Sequence, residues 1–234
     1  MNILLIAGHG NGDPGACGCG YQEATETRRM VDALAPLLRA RDCDVDVFDK
    51  SQNAYDVVRY GGALPLAGID YVVECHLNAG VGDQGGNGYT TGTEVLVHAS
   101  EPATTVEQCI LNNICALGFT NRGVKRRNDL AVMGYVVNNG ISHALIETCF
   151  IDDADDMTLY ERKFDEVAQA IADGIAEGFG LEGGSEVEEE KNQEPSKWAA
   201  ELWAKAHEMG LLDGTRPKDA RVRDRKSGSA GMPR

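Results

Sequence analysis

The sequence has no long apolar run near its start: Ile3 to Ala7 spans five residues and runs into Gly8-His9-Gly10. Neither a signal peptide nor a membrane helix fits there, so synthesis in the cytoplasm without an export signal is expected. An even set of cysteines is also missing. The seven present, at 17, 19, 43, 75, 109, 115 and 149, are scattered through apolar segments, which suits reduced thiols and predicts no structural disulfide. Positive charge is scarce, with 22 Lys and Arg against 37 Asp and Glu, and that balance argues against a nucleic acid partner. What remains is ordinary globular composition, 42% hydrophobic and 25% charged over 234 residues. A fibrous or wholly disordered chain is excluded, and the length suits one full domain with an appendage.

Charge is unevenly placed along the chain. Residues 1–181 hold 26 acids and 12 bases and form the main domain. Residues 182–194, EGGSEVEEEKNQE, contain six acids and a single apolar residue, too little apolar surface to order them, and read as a linker. Residues 195–234 reverse the balance, with nine bases and five acids, and carry both tryptophans, Trp198 and Trp203. Ser196 as an N-cap, Ala199, Leu202, Trp203 and Ala206 on one face, and Gly210 as a stop predict a short helix in this tail.

Within the main domain, short β-rich runs alternate with longer helical ones, the pattern of an α/β fold. Strands are expected at Asn2 to Ala7, Cys43 to Phe48, Tyr71 to Cys75, Thr93 to His98 and Ala144 to Glu147. Helices are expected near Gln22 to Arg39, with a kink at Pro36, near Ala103 to Leu117 and from Met157 to Phe179. His9 and His76 stand where strands give way to loops, and Glu147 closes an apolar strand, where an unpartnered acid is costly. In an open α/β sheet such carboxyl ends face the functional crevice. Glu23 opens the first long helix. Three nitrogen and oxygen ligands, His9, Glu23 and His76, would suit a catalytic zinc ion with one position left open, and Glu147 beside it would handle the proton. Spacing alone leaves open that each histidine is simply a satisfied strand-end residue.

Five blocks extend the pattern: Gly8-His9-Gly10-Asn11-Gly12-Asp13-Pro14-Gly15-Ala16, then Glu23, then Cys75-His76-Leu77-Asn78-Ala79, then Asn121-Arg122-Gly123-Val124-Lys125, then Ile146-Glu147-Thr148-Cys149-Phe150-Ile151 with Asp155-Asp156 after it. In this order they resemble the zinc-dependent N-acetylmuramoyl-L-alanine amidases, in particular those of phage endolysins, over about residues 1 to 180. The resemblance implies a three-layer α/β sandwich with a mixed, mostly parallel sheet flanked by helices. It implies one Zn²⁺ held by His9, Glu23 and His76, a catalytic Glu147, and peptidoglycan as the substrate, reached after release from the cytoplasm. Two positions depart from the family: Glu74-Cys75 stands where a Ser usually precedes the second histidine, and Thr148-Cys149 where a Gly usually follows the catalytic acid. The tail is similar to the short S-layer-homology-like segments of some endolysins, which implies wall binding or oligomerisation.

Other readings compete at single motifs. Gly10-Asn-Gly-Asp-Pro-Gly15 matches a dinucleotide-binding loop in letters, but the helix begins several residues later and Asp49 is too distant for the ribose acid. Cys17-Gly18-Cys19 lacks a second pair and reads as two loop thiols, while Cys75 and Cys149 point away from their functional neighbours into the core. Glu26, one turn after Glu23, competes with it as a ligand. Asn78, Arg122 and Lys125 are candidate substrate-binding residues; Arg122, Lys125, Arg126 and Arg127 form a basic patch that either meets stem-peptide carboxylates or is a solvated loop.

Overall fold

In Ile3-Leu4-Leu5-Ile6-Ala7 every side chain is buried, as a parallel strand covered on both faces requires. That strand, β1 (Asn2–Ala7), lies inside a six-stranded sheet seen in the computed structural model of the protein, which describes residues 1–181. The expected linker at 182–194 and the helical tail at 195–234 lie outside the described residues. After β1 come a small hairpin, β2 (Cys17–Gly18) and β3 (Tyr21–Gln22), then α1 (Glu23–Arg39), β4 (Asp44–Val47), α2 (Ala54–Arg59) and β5 (Tyr71–Asn78). The chain continues through β6 (Thr93–His98), α3 (Thr105–Ala116), β7 (Asn121–Arg127), α4 (Ala131–Asn138), β8 (Ser142–Phe150), α5 (Ala154–Arg162) and α6 (Phe164–Phe179).

Strand order is β4-β1-β5-β8-β6-β7, and β8 with β6 is the antiparallel pair in an otherwise parallel sheet. This is the mixed, mostly parallel architecture expected. Because strand side chains alternate between faces, Val73, Cys75, Leu77, Ala144 and Ile146 join one core with apolar residues of α1, α3, α5 and α6. Leu4, Ile6 and Val72 meet α2 and α4 on the opposite face. Helices on both faces make three layers. Among the described residues, no helix is long and apolar enough to cross a membrane.

Four features differ from the sequence reading. The last expected helix, Met157 to Phe179, is two helices broken at Lys163, whose ψ of 26° leaves the helical region. Apolar spacing runs unbroken across the break, with Tyr160 and Phe164 packed edge to face, so periodicity reads both as one. The basic segment is not a loop. It forms the edge strand β7, where charged side chains blunt the exposed edge and erase the alternation that marks a strand. Helices α2 and α4 are too short for periodicity to reveal. Finally, β5 and β8 run on past His76 and Glu147 to Asn78 and Phe150, so both site residues lie within strands. Helix α1 continues through Pro36 to Arg39.

Candidate functional site

Register across the sheet sets the site. His76 on β5 is directly opposite Glu147 on β8, which in turn is opposite Glu94 on β6. The three therefore form one row on the face that α2 and α4 cover, beyond the point where those helices end. Next in the row is Gly8, at the end of β1, whose N–H donates to the Cys75 carbonyl. A Cβ built on Gly8 would lie 2.3 Å from His76 Cε1. Only glycine leaves room for the imidazole there.

His9 follows with φ of +62°, a left-handed conformation rare outside glycine. Arg28 holds it. Its guanidinium donates to the carbonyls of Gly8, His9 and Ala24, at 3.1, 2.9 and 2.9 Å, and to Lys50 at 2.9 Å. The loop then closes through paired Gly10 and Asp13 backbone bonds. At Gly15 a Cβ would fall 2.7 Å from both Glu23 Oε2 and His9 Cδ2, so a second glycine makes space for the same cluster. The glycine-rich loop is thus shaped around a histidine and a carboxylate.

Glu23, the first residue of α1, stands between the two imidazoles. Its Oε2 is 3.1 Å from His9 Nε2, and its Oε1 is 2.9 Å from His76 Nδ1. Backbone N–H groups of Ala16 and Leu77 donate to the same two oxygens. Burial alone would raise the pKa of this carboxyl, but the bonds from His76 and His9 and the Ala16 N–H hold it well below the carboxylate range. Burial opposes charge on both histidines as well, yet their contacts with Glu23 leave both pKa values raised. Glu26 points elsewhere and pairs with Arg29.

The ligand atoms of His9, Glu23 and His76 all lie within 4.8 Å of one another. Two neutral imidazole nitrogens and a carboxylate are a donor set suited to Zn²⁺, and the close mutual approach of the three groups fits one cation. Each imidazole also has an outer partner. Asp13 Oδ2 is 2.8 Å from His9 Nδ1, and Glu74 Oε1 is 3.1 Å from His76 Nε2. A cavity of about 270 Å³ opens beside the cluster, lined by His9, His76, Tyr55, Leu130 and Leu145 among others.

Glu147 contrasts with Glu23. Its Oε2 is buried without a hydrogen-bond partner. Burial pushes its carboxyl up to about 7; His76 opposes that rise, and the negative charges of Glu23, Glu94 and Glu74 add to it. Glu94 itself stays ionised. Burial works against it, but Lys125 Nζ, Arg122 Nε at 2.7 Å and Asn78 Nδ2 at 3.2 Å all donate to its carboxylate. The three candidate substrate-binding residues, Asn78, Arg122 and Lys125, therefore converge on Glu94. Arg122 also stacks over the Phe150 ring at 4.7 Å, and Arg126 donates to the Glu101 carbonyl.

Glu74, Glu94, Asp13 and His143 carry partners in this site that sequence reasoning did not give them. One signal was available. Glu74 is two residues before His76 in an extended segment, hence on the same face. A second group of carboxylates, Asp83, Asp153 and Asp155, also gathers within 4.8 Å, but Asp153 spends its oxygens on the N–H groups of Asp155 and Asp156 and on Thr91.

Comparison with known proteins gives the family and the fold. A model of the N-acetylmuramoyl-L-alanine amidase family matches residues 3–177. The chain is 30% identical over 188 residues to the probable autolysin PH of Staphylococcus aureus, covering 74% of this chain and 38% of that protein. It is 28% identical to the sporulation-specific N-acetylmuramoyl-L-alanine amidase of Bacillus subtilis, covering 77% and 69%. Among solved structures, the catalytic domain of the CD27L endolysin targeting Clostridia difficile shares the fold with a TM-score of 0.63 at 24% identity, covering 76% of this chain and 97% of that one. With the match spanning the whole sheet and every residue of the row beside the glycine-rich loop, the chain belongs to the N-acetylmuramoyl-L-alanine amidase family.

Proposed function

We propose that this chain is a peptidoglycan hydrolase that cleaves the amide between the lactyl group of N-acetylmuramic acid and L-alanine of the stem peptide. His9, Glu23 and His76 would hold one zinc ion, and Glu147 would move the proton. One observation carries the reading: a satisfied His-Glu-His cluster stands one strand away from a buried carboxyl with a free oxygen. When bound, zinc supplies a Lewis acid that polarises a carbonyl and acidifies water.

The remaining work belongs to the chain. Asp13 and Glu74 orient the two imidazoles, and the glycine-rich loop keeps His9 in its left-handed conformation. Glu147 accepts the proton of the water that attacks the amide carbon. It then delivers that proton to the alanine nitrogen as the C–N bond breaks, which leaves a lactyl carboxylic acid and a free amine. Burial and the like charge of Glu94 both favour the protonated carboxyl, so Glu147 is disposed to take up the proton as well as to return it.

The test is Glu147→Gln on the zinc-loaded chain. Loss of general acid–base work lowers hydrolysis by roughly 10² to 10⁴, while one equivalent of zinc stays bound. Mass spectra of digested cell wall should show free L-alanine amino termini and intact glycan strands. A chain that takes up no zinc, or that leaves the wall uncut while binding it, is a silent wall-binding protein instead.

A further inference from the structure

Glu74 is buried, and its carboxylate bridges two imidazoles: His76 Nε2 at 3.1 Å and His143 Nε2 at 3.0 Å. His143 is fully buried, and its Nδ1 has no hydrogen-bond partner. All three residues sit on the same face of β5 and β8 as Glu147, in adjacent rows of the register. A buried acid and a fully buried histidine are costly in a sheet that the neighbouring Leu145, Leu96 and Met133 fill with apolar contacts. The fold of this face does not require them.

We propose that Glu74, backed by His143, is a positioning residue for the metal-ligating His76. An imidazole has two nitrogens, and the one that meets a carboxylate outside the ligand cluster carries the proton. Glu74 accepts the His76 Nε2–H, so Nδ1, 2.9 Å from Glu23 Oε1, is the nitrogen that gives up its proton when a cation binds. His143 donates its own Nε2–H to the second oxygen of Glu74 and so fixes the plane of that carboxylate. The tautomer this imposes puts the bare nitrogen of His143 at Nδ1, the atom without a partner; an unpaired acceptor there is cheaper than an unpaired N–H. Gly8 closes the other side of the ring, so His76 is held by contact on its face and by the hydrogen bond at Nε2. His9 has only Asp13 in the corresponding place, a half-exposed group that competes with water.

This inference rests on the zinc reading above, and its test separates the two. Zinc affinity of the full chain is measured by competition with a chromogenic chelator for the unsubstituted protein and for Glu74→Gln, Glu74→Ala and His143→Gln. Loss of an outer partner of a ligating histidine weakens affinity by about ten- to a hundred-fold. Glu74→Ala should reach the upper part of that range. Glu74→Gln, which keeps an acceptor oxygen in place, should recover part of it, and His143→Gln should lose least. Proton–nitrogen spectra of the zinc-loaded protein provide a readout that a purely structural role would not move. The His76 Nε2–H should give a hydrogen-bonded, slowly exchanging signal in the unsubstituted chain and exchange rapidly with water in Glu74→Ala. Should Glu74→Ala fail to fold, the isosteric Glu74→Gln decides alone. Zinc affinity and His76 Nε2–H exchange both unchanged in Glu74→Gln and Glu74→Ala, with only the melting temperature lowered, would overturn the inference and make the pair structural. If the unsubstituted chain binds no zinc, the zinc reading fails instead.

Discussion

The two faces of the central sheet are built from the same strands yet obey different rules. On one, Val73, Cys75 and Leu77 of β5 and Ala144 and Ile146 of β8 meet α1, α3, α5 and α6 in a single apolar core. On the other, the same strands present Glu74, His76, His143 and Glu147, four ionisable side chains between which only Leu145 continues the apolar pattern. The difference follows from coverage. Helices α2 and α4 are short: together they cover Leu4, Ile6 and Val72, and Met133 of α4 adds Leu96 and Leu145, so beyond these the carboxyl-terminal end of that face has no apolar layer to satisfy. A strand whose two faces have different neighbours can be a core element and a site element at once, and substitutions on the two faces should fail in different ways.

The largest expected effect comes from removing space on the site face. Gly8→Ala drives a methyl group into the His76 ring, whose Cε1 would be 2.3 Å away. A displacement near 1 Å in such a cluster costs on the order of 10²-fold in function. Zinc uptake measured by chelator competition should fall by a similar factor, with little change in the melting temperature of the metal-free protein.

Next in size is a gain of stability on the same face. In the metal-free protein Glu147 titrates near 7 against 4.5 for an ordinary glutamate. The unfolded chain therefore releases this proton first, and stability falls as pH rises from about 4.5 to 7, then levels off. Glu147→Gln removes that penalty. Its melting temperature should match the unsubstituted chain near pH 4 and exceed it increasingly up to pH 7, by an amount that corresponds to at most roughly 3 kcal/mol. A pH-independent difference would mean that Glu147 is solvated.

The contrast between faces also explains what the sequence could tell. The apolar run Ile3 to Ala7 of β1 and the amphipathic α1 announce themselves by pattern, and the histidines with their glycine-rich loop carry a family resemblance strong enough to name a ligand cluster. Two kinds of feature stayed hidden. Strand β7 has Val124 as its single large apolar residue, because an edge strand needs no buried alternation. Partnerships such as Glu74 with His143, or Glu94 with Lys125, join residues 69 and 31 positions apart, and only the register of β5 with β8 and of β6 with β7 brings them together. Spacing along a chain reports faces; it does not report neighbours across a sheet.

On the apolar face the expected failure is one of packing. A Cβ on Gly174 of α6 would stand 2.5 Å from Ile110 Cα of α3, where two helix backbones approach closely. Gly174→Ala should destabilise the protein by about 1 to 3 kcal/mol through overpacking, read as a lower melting temperature, and leave zinc affinity unchanged. If Gly174→Ala weakened zinc binding as much as Gly8→Ala, the two faces would be coupled rather than separate.

The smallest effects belong at the rim of the site face, where Arg122 and Lys125 both neutralise Glu94. Each is partly exposed, so screening limits what either ion pair contributes, to at most about 1 kcal/mol. Glu94 keeps one cation in either single variant, so Arg122→Gln and Lys125→Gln should each lower the melting temperature only slightly. The double variant leaves a buried carboxylate with Asn78 alone, and its loss should exceed the sum of the two, because groups sharing one partner are not additive. Kinetics on a soluble muramyl peptide separates support from recognition. Cations that hold Glu94 leave KM unchanged in the single variants, whereas cations that clamp a stem carboxylate raise KM while kcat stays constant. Lys125→Gln is the sharper of the two variants, since Arg122 is additionally anchored over Phe150 and its removal also disturbs that contact.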